Sequence, residues 1–439
     1  MGYELAEMDP VTMTKPQFAQ RPSAISTMAR GLIGSEILKI AADIRTMVAE
    51  GHAICNLTVG DFNPAYFPIP TELRASIQGM LDAGETNYPP SDGMMQLRRA
   101  VKSFYERRLG LDYPIESFII TSGARPAIYA TYNALIEEGD KVVYPIPSWN
   151  NNHYTHLSRA TYQTAICRAE DAFLPTRDIL EGTLTDAKML SLCSPLNPTG
   201  TAFTREALEG ICDLVIEENA SRESHERPLF IMYDQVYWML TFGDTVHYNP
   251  VSLRPELASN TIFVDGISKA FAATGVRVGW CVAPPDIAGA MSNILGHIGA
   301  WAPRAEQLAT AALLLDEDAI QTYHSLMIRE IEVRLDALYD GLTAMQRSGL
   351  PVDAITPMGA IYLTARFDLI GRRTPSGKTL ATNEDIRKYL LESARLAVVP
   401  FQAFGSQENT GWFRLSVGAV SMDEIETMLP RLRDSLEAL

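Results

Sequence analysis

Short apolar runs alternate with helix-like segments through the middle of the chain. The runs are four or five residues long, which is the pattern of strands that are covered on both faces of a sheet. They lie at residues 117–121, 141–144, 189–193, 229–233 and 261–264. Helix-like segments such as 204–219 separate them, and strands that alternate with helices indicate a mostly parallel, doubly wound α/β sheet.

The pattern changes near residue 316. A long helical pattern at 318–348 precedes short apolar runs at 360–365, 397–399 and 413–417, and a helical pattern at 422–436 ends the chain. This order is typical of a smaller α+β domain. Residues 1–22 are expected to form a loosely held arm, followed by helical spacing at 33–49. We therefore predict an arm and part of the small domain at 1–62, a large domain at 63–316 and a small C-terminal domain at 317–439.

Composition narrows the class of protein. The 439 residues are 46% hydrophobic and carry a net charge of -16, which argues against nucleic acid or an anionic membrane as the main partner. Five cysteines without a Cys-x-x-Cys pair are typical of reduced thiols in the cytoplasm. No apolar run approaches the roughly 18 residues of a membrane span, and the histidines lack metal-ligand spacing. We expect a cytoplasmic protein without a metal site.

Lys269 is the first candidate for chemistry, because it follows the apolar run at 261–264. Ligands bind at the carboxyl ends of strands in open α/β sheets, although a lone lysine in this place is more often a surface charge. Arg277 follows between small residues, and its guanidinium group suits a phosphate better than an ammonium group does. A lysine for Schiff-base formation and an arginine for phosphate are what a pyridoxal 5'-phosphate (PLP) site needs.

Asp234 and Tyr237 follow another apolar run, at 229–233. PLP chemistry needs a carboxylate against the pyridine nitrogen, because the protonated ring accepts the electron pair released at the substrate's α-carbon. Asp234 is in a position to supply that carboxylate, and Tyr237 can offer its hydroxyl to the ring's phenolic oxygen. By itself, Asp234 is equally well explained as a helix N-cap.

Two turns and a tryptophan complete the set. The turn Ser-Pro-Leu-Asn-Pro-Thr-Gly at 194–200 is rigid and presents Asn197 to the same phenolic oxygen. Gly123 and Ala124 lie in a small-residue turn before a helix-like segment, which makes a ready phosphate cradle. Trp149 can stack on the pyridine face. Each feature alone is also explained as an ordinary turn or core residue.

In order and spacing, these motifs resemble those of the fold-type I PLP enzymes, and among them the class I aminotransferases of the aspartate aminotransferase family. The nearest resemblance is to bacterial aspartate and prephenate aminotransferases, and it extends from 57–60 to Arg414. It implies a large domain of mixed, mostly parallel sheet flanked by helices and a smaller α+β domain. It also implies PLP-dependent transfer of an amino group from an L-amino acid to a 2-oxo acid in a homodimer with shared active sites.

The resemblance assigns roles around the cofactor. Lys269 would hold PLP and carry the transferred proton, and Asp234 would keep the ring nitrogen protonated. Asn197 and Tyr237 would bind the phenolic oxygen, while Trp149 would stack on the ring. The residues expected at the phosphate are Gly123, Ala124, Arg125, Ser268 and Arg277, with Tyr88 reaching the phosphate of the neighbouring subunit.

The resemblance also assigns the substrate's place. Arg414 would clamp the α-carboxylate, near Trp149 and Asn197, and the backbone of Gly60 would lie over the substrate. Arg125 stands where a lysine in the prephenate branch binds the distal carboxylate, so we expect aspartate or glutamate as donor and 2-oxoglutarate or oxaloacetate as acceptor. Arg304 is a second candidate for that carboxylate. Arg125 is also explained as a phosphate ligand or a surface residue.

Two departures and several alternatives stay open. Gly266 stands where many family members have a phosphate-binding serine, and the loop at 400–405 lacks a glycine directly after its proline. Prephenate, aromatic or other amino acids are alternative substrates. The same lysine also serves carbon–sulfur lyases and decarboxylases, and a non-catalytic PLP-binding regulator is a further reading. The P-loop-like stretch at 371–379 has five residues between its glycines instead of four, so we interpret it as an exposed basic loop.

Overall fold

The structure is a computed structural model that describes residues 24–32 and 36–439. Its backbone divides into two compact units, Met1–Ile33 and Gly34–Leu439. In the described part of the first unit, helix Thr27–Gly31 (α1) begins where the Ser26 side chain accepts a hydrogen bond from Ala29 N at 3.2 Å. The arm predicted at 1–22 and the start of the helix predicted at 33–49 lie outside the described residues.

The second unit contains the strands and the other helices. The strands are Cys55–Asn56 (β1), Phe118–Thr121 (β2), Lys141–Ile146 (β3), Thr161–Ile166 (β4), Ala187–Cys193 (β5), Phe230–Asp234 (β6), Thr261–Gly266 (β7), Gly279–Val282 (β8), Val352–Ile355 (β9), Tyr362–Phe367 (β10), Leu396–Ala397 (β11), Val399–Pro400 (β12) and Trp412–Ser416 (β13). The helices are Glu36–Ala49 (α2), Thr71–Asp82 (α3), Met95–Leu109 (α4), Ala124–Leu135 (α5), Asn151–Leu157 (α6), Arg177–Leu180 (α7), Arg205–Ser221 (α8), Pro250–Leu253 (α9), Ile267–Ala270 (α10), Pro285–Ile298 (α11), Arg304–Leu315 (α12), Glu317–Arg347 (α13), Asn383–Tyr389 (α14) and Met422–Glu437 (α15).

A seven-stranded sheet organises the larger part of this unit, in the order β2-β8-β7-β6-β5-β3-β4. The neighbours from β4 to β7 pair in parallel, whereas β8 runs antiparallel to both β7 and β2. The expected mixed, mostly parallel sheet flanked by helices is confirmed. Because β5, β6 and β7 are parallel neighbours, the residues that follow them meet at one edge of the sheet.

Both faces of this sheet are covered by apolar side chains. Successive residues of β7 point to opposite faces: Phe263 packs into a core with Phe104, and Val264 packs into another with Ala127. Fully burying such side chains contributes about 1.5–3 kcal/mol each. Burial on both faces explains why these strands are continuous apolar runs in the sequence.

A four-stranded antiparallel sheet, in the order β12-β13-β10-β9, forms the smaller α+β part. Its core includes side chains from α13 and α15, and β1 pairs in parallel with β11 beside it. The helix predicted at 318–348 is α13, which begins after Asp316, whose side chain accepts a hydrogen bond from Ala319 N at 3.0 Å. The domain boundaries at 62/63 and 316/317 stay predictions.

Two features are absent from the described residues: a membrane-spanning helix and a cluster of metal ligands. No helix among them is long and apolar enough to cross a membrane. The same residues contain no group of three or more His, Cys, Asp or Glu side chains arranged to hold a metal ion. All five cysteines are free thiols.

Candidate active site

A cavity of about 670 Å³ opens at the edge of the large sheet where β5 and β6 end, and residues of the small sheet close its other side. Most of the predicted site residues lie in its wall. They are Gly60, Ala124, Arg125, Trp149, Asn197, Asp234, Tyr237, Ser268, Lys269, Arg277 and Arg414. Residues from far apart in the sequence therefore surround one space.

Lys269 lies on α10, directly after β7. Its Nζ donates a hydrogen bond to the carbonyl oxygen of Gly60 at 2.6 Å and lies 5.9 Å from the ring centroid of Tyr237. Burial lowers the pKa of Lys269 to about 8, while Asp61 raises it and nearby arginines lower it further. A larger fraction of this amine is thus neutral near pH 7 than for an ordinary lysine, as a nucleophile or proton acceptor requires.

Asp234 is the last residue of β6 and pairs in register with Val264 of β7. Its Oδ1 accepts a hydrogen bond from Val236 N at 3.2 Å. Burial raises the pKa of Asp234 to about 6, against the Val236 amide and Lys269, which lower it. A carboxylate buried in this way favours a cationic partner, and a protonated pyridine nitrogen meets that requirement.

Tyr237 makes a hydroxyl–hydroxyl hydrogen bond with Tyr362 at 2.6 Å. Burial raises the pKa of the Tyr237 hydroxyl above its usual range, so this group stays protonated and able to donate. Tyr362 also lines the cavity, although it was not among the predicted site residues. It lies within an apolar run that predicted only a strand, and its partner is 125 residues away in the sequence.

Arg414, on β13, is a buried cation with 1% of its surface exposed. Its Nη1 donates to Asn197 Oδ1 at 3.1 Å and its Nη2 to the carbonyl oxygen of Thr58 at 2.8 Å. Its Nε has no hydrogen-bond partner among the described residues. Burial lowers the pKa of Arg414, and a desolvated guanidinium group with a free donor is suited to bind an anionic group.

Close packing explains the glycine at position 60. A Cβ there would lie 3.0 Å from Tyr362 Oη and 3.6 Å from Arg414 Nη1. The turn that carries Asn197 is packed just as closely, because a Cβ on Gly200 would lie 2.1 Å from the carbonyl oxygen of Tyr362. These two glycines allow the backbone to approach the side chains that line the cavity.

Arg277 packs against the small-residue turn before α5. Its Nη2 donates to the carbonyl oxygen of Ser122 at 2.8 Å and its Nη1 to that of Thr274 at 2.7 Å. A Cβ on Gly123 would lie only 2.2 Å from Arg277 Nη2, and the φ of Gly123 is +87°. The guanidinium group and the start of α5 at Ala124 therefore adjoin, which is the arrangement that a phosphate group needs.

The departure at Gly266 has a steric cause. A Cβ at this position would lie 2.8 Å from Gly279 Cα and 2.9 Å from the carbonyl oxygen of Val278. The antiparallel neighbour β8 thus occupies the space that a serine side chain would need. Ser268, two residues later, does line the cavity.

Arg125 and Trp149 are neighbours in the wall of the cavity. The Cζ of Arg125 lies 5.6 Å from the ring centroid of Trp149. The Trp149 ring lies 6.2 Å from that of Phe404, which in turn lies 4.9 Å from Arg414 Cζ. The loop at 400–405, which lacks a glycine directly after its proline, thus supplies the aromatic ring of Phe404 between Arg125 and Arg414.

Two predicted residues lie away from this wall. Tyr88 is 82% exposed and makes an edge contact with Trp301, with ring centroids 5.3 Å apart. Arg304, the second candidate for a distal carboxylate, pairs with Glu85. Within one chain, the structure therefore brings neither Tyr88 nor Arg304 to Lys269.

The cavity at the carboxyl edge of the mixed sheet contains a lysine of lowered pKa, a buried carboxylate and an arginine beside a helix start. These are the groups that a PLP-dependent enzyme needs. The sequence model described as aminotransferase class I and II matches residues 53–432, and the chain belongs to this family. It is a PLP-dependent aminotransferase.

Named relatives and solved structures agree with this assignment. An aspartate aminotransferase of Rhizobium meliloti (strain 1021) is 29% identical over 408 residues, which cover 92% of this chain and 94% of the relative. A probable aspartate/prephenate aminotransferase of Rickettsia felis is 30% identical, with 93% and 96% covered. The solved aspartate aminotransferase from Rhizobium meliloti superimposes with a TM-score of 0.86 at 26% identity, covering 96% of this chain and 100% of that one.

The pKa of Lys269 predicts how the apoprotein takes up PLP. We expect the rate of covalent attachment to rise with pH and to level off above about 8, because only the neutral amine attacks a carbonyl carbon and raising the pH removes its proton. The rate is measured from the visible absorbance after mixing at pH 6 to 10. Nα-acetyllysine, whose amine has a pKa of about 10.4, is the control for the ionisation of PLP itself. Equal pH midpoints for the protein and this control would contradict the prediction.

Proposed function

We propose that this aminotransferase uses a dicarboxylic amino acid, aspartate or glutamate, and returns the amino group to oxaloacetate or 2-oxoglutarate. The observation that carries this proposal is that, besides Arg277 at the expected phosphate position, Arg414 and Arg125 lie in the wall of the cavity that contains Lys269. Guanidinium groups match carboxylates in shape and charge. Two of them in one cavity suit a substrate with a carboxylate at each end.

The proposed roles follow from the contacts of each group. When bound, PLP withdraws electrons from the α-carbon of the amino acid, so that a proton can leave it. Lys269 Nζ, with its lowered pKa, accepts that proton. Asp234 would hold a compensating negative charge for the ring nitrogen, and Tyr237 and Asn197 would donate to the ring's phenolic oxygen. Trp149 covers the ring face.

The cofactor's phosphate is assigned to the part of the cavity between Arg277 and the start of α5. Arg277 neutralises it, and the backbone amides at Gly123 and Ala124 donate to it at the start of α5. Ser268 adds a hydroxyl from the lysine-bearing turn. These groups adjoin because the glycine at 123 lets the arginine pack against the backbone.

We also propose that the protein acts as a homodimer with shared sites. Tyr88 is largely exposed and lies against Trp301, so a single chain presents an aromatic pair outside its own cavity. In the proposed dimer, Tyr88 of each chain reaches the phosphate in the other. The free thiols of all five cysteines fit the proposed cytoplasmic location.

The relatives support the choice of substrate. Two are described as an aspartate aminotransferase and a probable aspartate/prephenate aminotransferase. The solved aspartate aminotransferase from Thermus thermophilus with maleate, a dicarboxylate, superimposes with a TM-score of 0.83 at 25% identity, covering 94% of this chain and 100% of that one.

Substitution of Arg125 by alanine tests the distal-carboxylate role. We expect the single-turnover rate constant per molar aspartate to fall about 10- to 100-fold, since a hydrogen bond to a charged group contributes about 1.5–3 kcal/mol. The reaction with alanine, which lacks a distal carboxylate, should stay within about two-fold. The decay of the PLP absorbance band after mixing with each amino acid gives both rates.

Arg159→Ala is the matched control, because Arg159 is an exposed arginine paired with Glu138 on the surface. An equal loss for aspartate and alanine in Arg125→Ala would reject the role of Arg125. If prephenate or aromatic amino acids react and aspartate does not, the substrate assignment is wrong. Release of ammonia or carbon dioxide would indicate a lyase or a decarboxylase instead.

A further inference from the structure

We infer that Asp265 is a positioning residue for this reaction. Its carboxylate lies in the core beneath the cavity and joins the segment that carries Lys269 to the segment that carries Asp234 and Tyr237. The inference rests on the roles proposed above for these three residues, and it concerns a residue that lies outside the cavity wall.

The carboxylate of Asp265 is buried, with 1% of the residue exposed, and accepts hydrogen bonds on both oxygens. Its Oδ2 accepts from the hydroxyl of Tyr105 at 3.0 Å and from Trp238 Nε1 at 2.9 Å. Its Oδ1 accepts from Gly266 N at 2.7 Å. No lysine, arginine or histidine pairs with it among the described residues, so these donors are what offset the cost of burying it.

The wider network fixes the direction of each hydrogen bond. The oxygen of Tyr105 accepts from Trp280 Nε1 at 3.1 Å and from Gln235 Nε2 at 3.2 Å. The single hydroxyl proton of Tyr105 is therefore left for Asp265. Burial raises the pKa of Asp265 to about 7, and the hydrogen bonds from Gly266, Tyr105 and Trp238 lower it, which favours the ionised carboxylate.

The network ends at His247, whose Nε2 lies 3.3 Å from Gln235 Oε1. Burial lowers the pKa of His247 to about 3, so the ring is neutral and donates to Gln235 through Nε2. The titratable groups that face this network are thus Asp265, Tyr105 and His247, with Asp234 acting on Asp265 from the neighbouring strand.

The donors to Asp265 come from the segments that carry the reacting groups. Trp238 directly follows Tyr237, and Gln235 directly follows Asp234. On the other side, Gly266 is the residue before α10, which carries Lys269. The backbone pairing between β6 and β7 ends where Gln235 N donates to the carbonyl oxygen of Val264 at 3.0 Å, and beyond it Asp265 and its donors join the two segments.

Core packing alone does not explain a carboxylate at position 265. A buried charged group and its partners, when replaced together by apolar side chains, are often dispensable for stability, because the desolvation cost is removed. A fixed charge with several donors does hold segments at set positions, and errors of a fraction of an ångström between reacting groups slow a reaction. The contacts of Asp265 suit that second purpose.

Asp265→Asn tests the inference in the PLP-loaded protein, because the amide keeps the size but turns an N–H group toward Tyr105, Trp238 or Gly266. We expect kcat with aspartate to fall about 10-fold or more while KM changes less than about three-fold. We also expect the pH midpoint of the visible band of Lys269-bound PLP to shift by roughly half a unit or more. Tyr105→Phe, which keeps the charge and loses one donor, should shift it less.

Tyr113→Phe is the matched control. Tyr113 lies in the same core, its ring contacts Phe263, and its hydroxyl has no hydrogen-bond partner among the described residues. An unshifted midpoint and unchanged kcat in Asp265→Asn would overturn the inference, as would equal changes in Tyr113→Phe. If Asp265→Asn does not fold, Tyr105→Phe and Trp238→Phe carry the same test. A wild-type protein that fails to react with aspartate would instead reject the proposed function, and the band shift would still decide the role of Asp265.

Discussion

Replacing Lys269 with alanine is expected to abolish covalent attachment of PLP and to slow transamination by at least about 1000-fold, since a positioned acid–base group alone contributes about 100- to 10,000-fold. Lys269 lines the cavity, and burial lowers the pKa of its side-chain amine to about 8. Without it, PLP can be held only by its phosphate and ring contacts. The visible spectrum after gel filtration and a steady-state assay with aspartate measure the two effects.

The control for this experiment is Lys388→Ala, in which a half-exposed lysine paired with Glu384 is lost. That variant should keep both the bound band and the activity. Retention of turnover in Lys269→Ala would contradict the proposed mechanism, whereas unchanged thermal unfolding of the apoprotein would show that only the chemistry was removed.

Substitution of Arg414 by lysine should lower kcat/KM for every amino acid tested by about 100-fold or more, since the lost fork contributes hydrogen bonds of about 1.5–3 kcal/mol each. Lysine keeps the positive charge but cannot donate to two oxygens in parallel. The buried guanidinium group also lies 4.7 Å from the Tyr362 ring centroid, a contact that a compact ammonium group does not reproduce. Steady-state assays with aspartate and alanine measure the loss.

The pattern across substrates distinguishes this prediction from the one for Arg125. Aspartate and alanine both have an α-carboxylate, so Arg414→Lys should reduce both equally, while Arg125→Ala should spare alanine. Arg433→Lys, at a surface arginine that pairs with Glu437, is the control. A loss confined to aspartate in Arg414→Lys would mean that the two arginines had been assigned the wrong way round.

The strands that carry the site were predictable because burial on both faces makes them apolar throughout. The edge strand β4 was not, since its side chains are mostly exposed and polar. The buried strand β8 was not predicted either, because its four residues directly follow the Arg277 segment and were interpreted as part of that motif.

The candidate site was predictable where a residue type and its local motif belong together. Lys269, Asp234 and Asn197 each follow an apolar run in a short recognisable segment. Tyr362 and Asp265 lie in or directly after apolar runs as well, but their roles depend on the partners Tyr237 and Tyr105, which are 125 and 160 residues away. Contacts over that separation depend on the packing of the whole sheet, which periodicity does not contain.

The glycines at 123, 279 and 266 bear on how the substrate range of this protein can be altered. They lie on adjacent strand ends, and a Cβ on Gly279 or Gly266 would come within 3 Å of the backbone beside it. This end of the cavity is therefore fixed by main chain and tolerates almost no new side chain. Arg125 and Trp149 also line the cavity, but as side chains that can be exchanged without moving a strand. Directed evolution toward new amino acids should accordingly collect its mutations around these two positions and leave the three glycines unchanged.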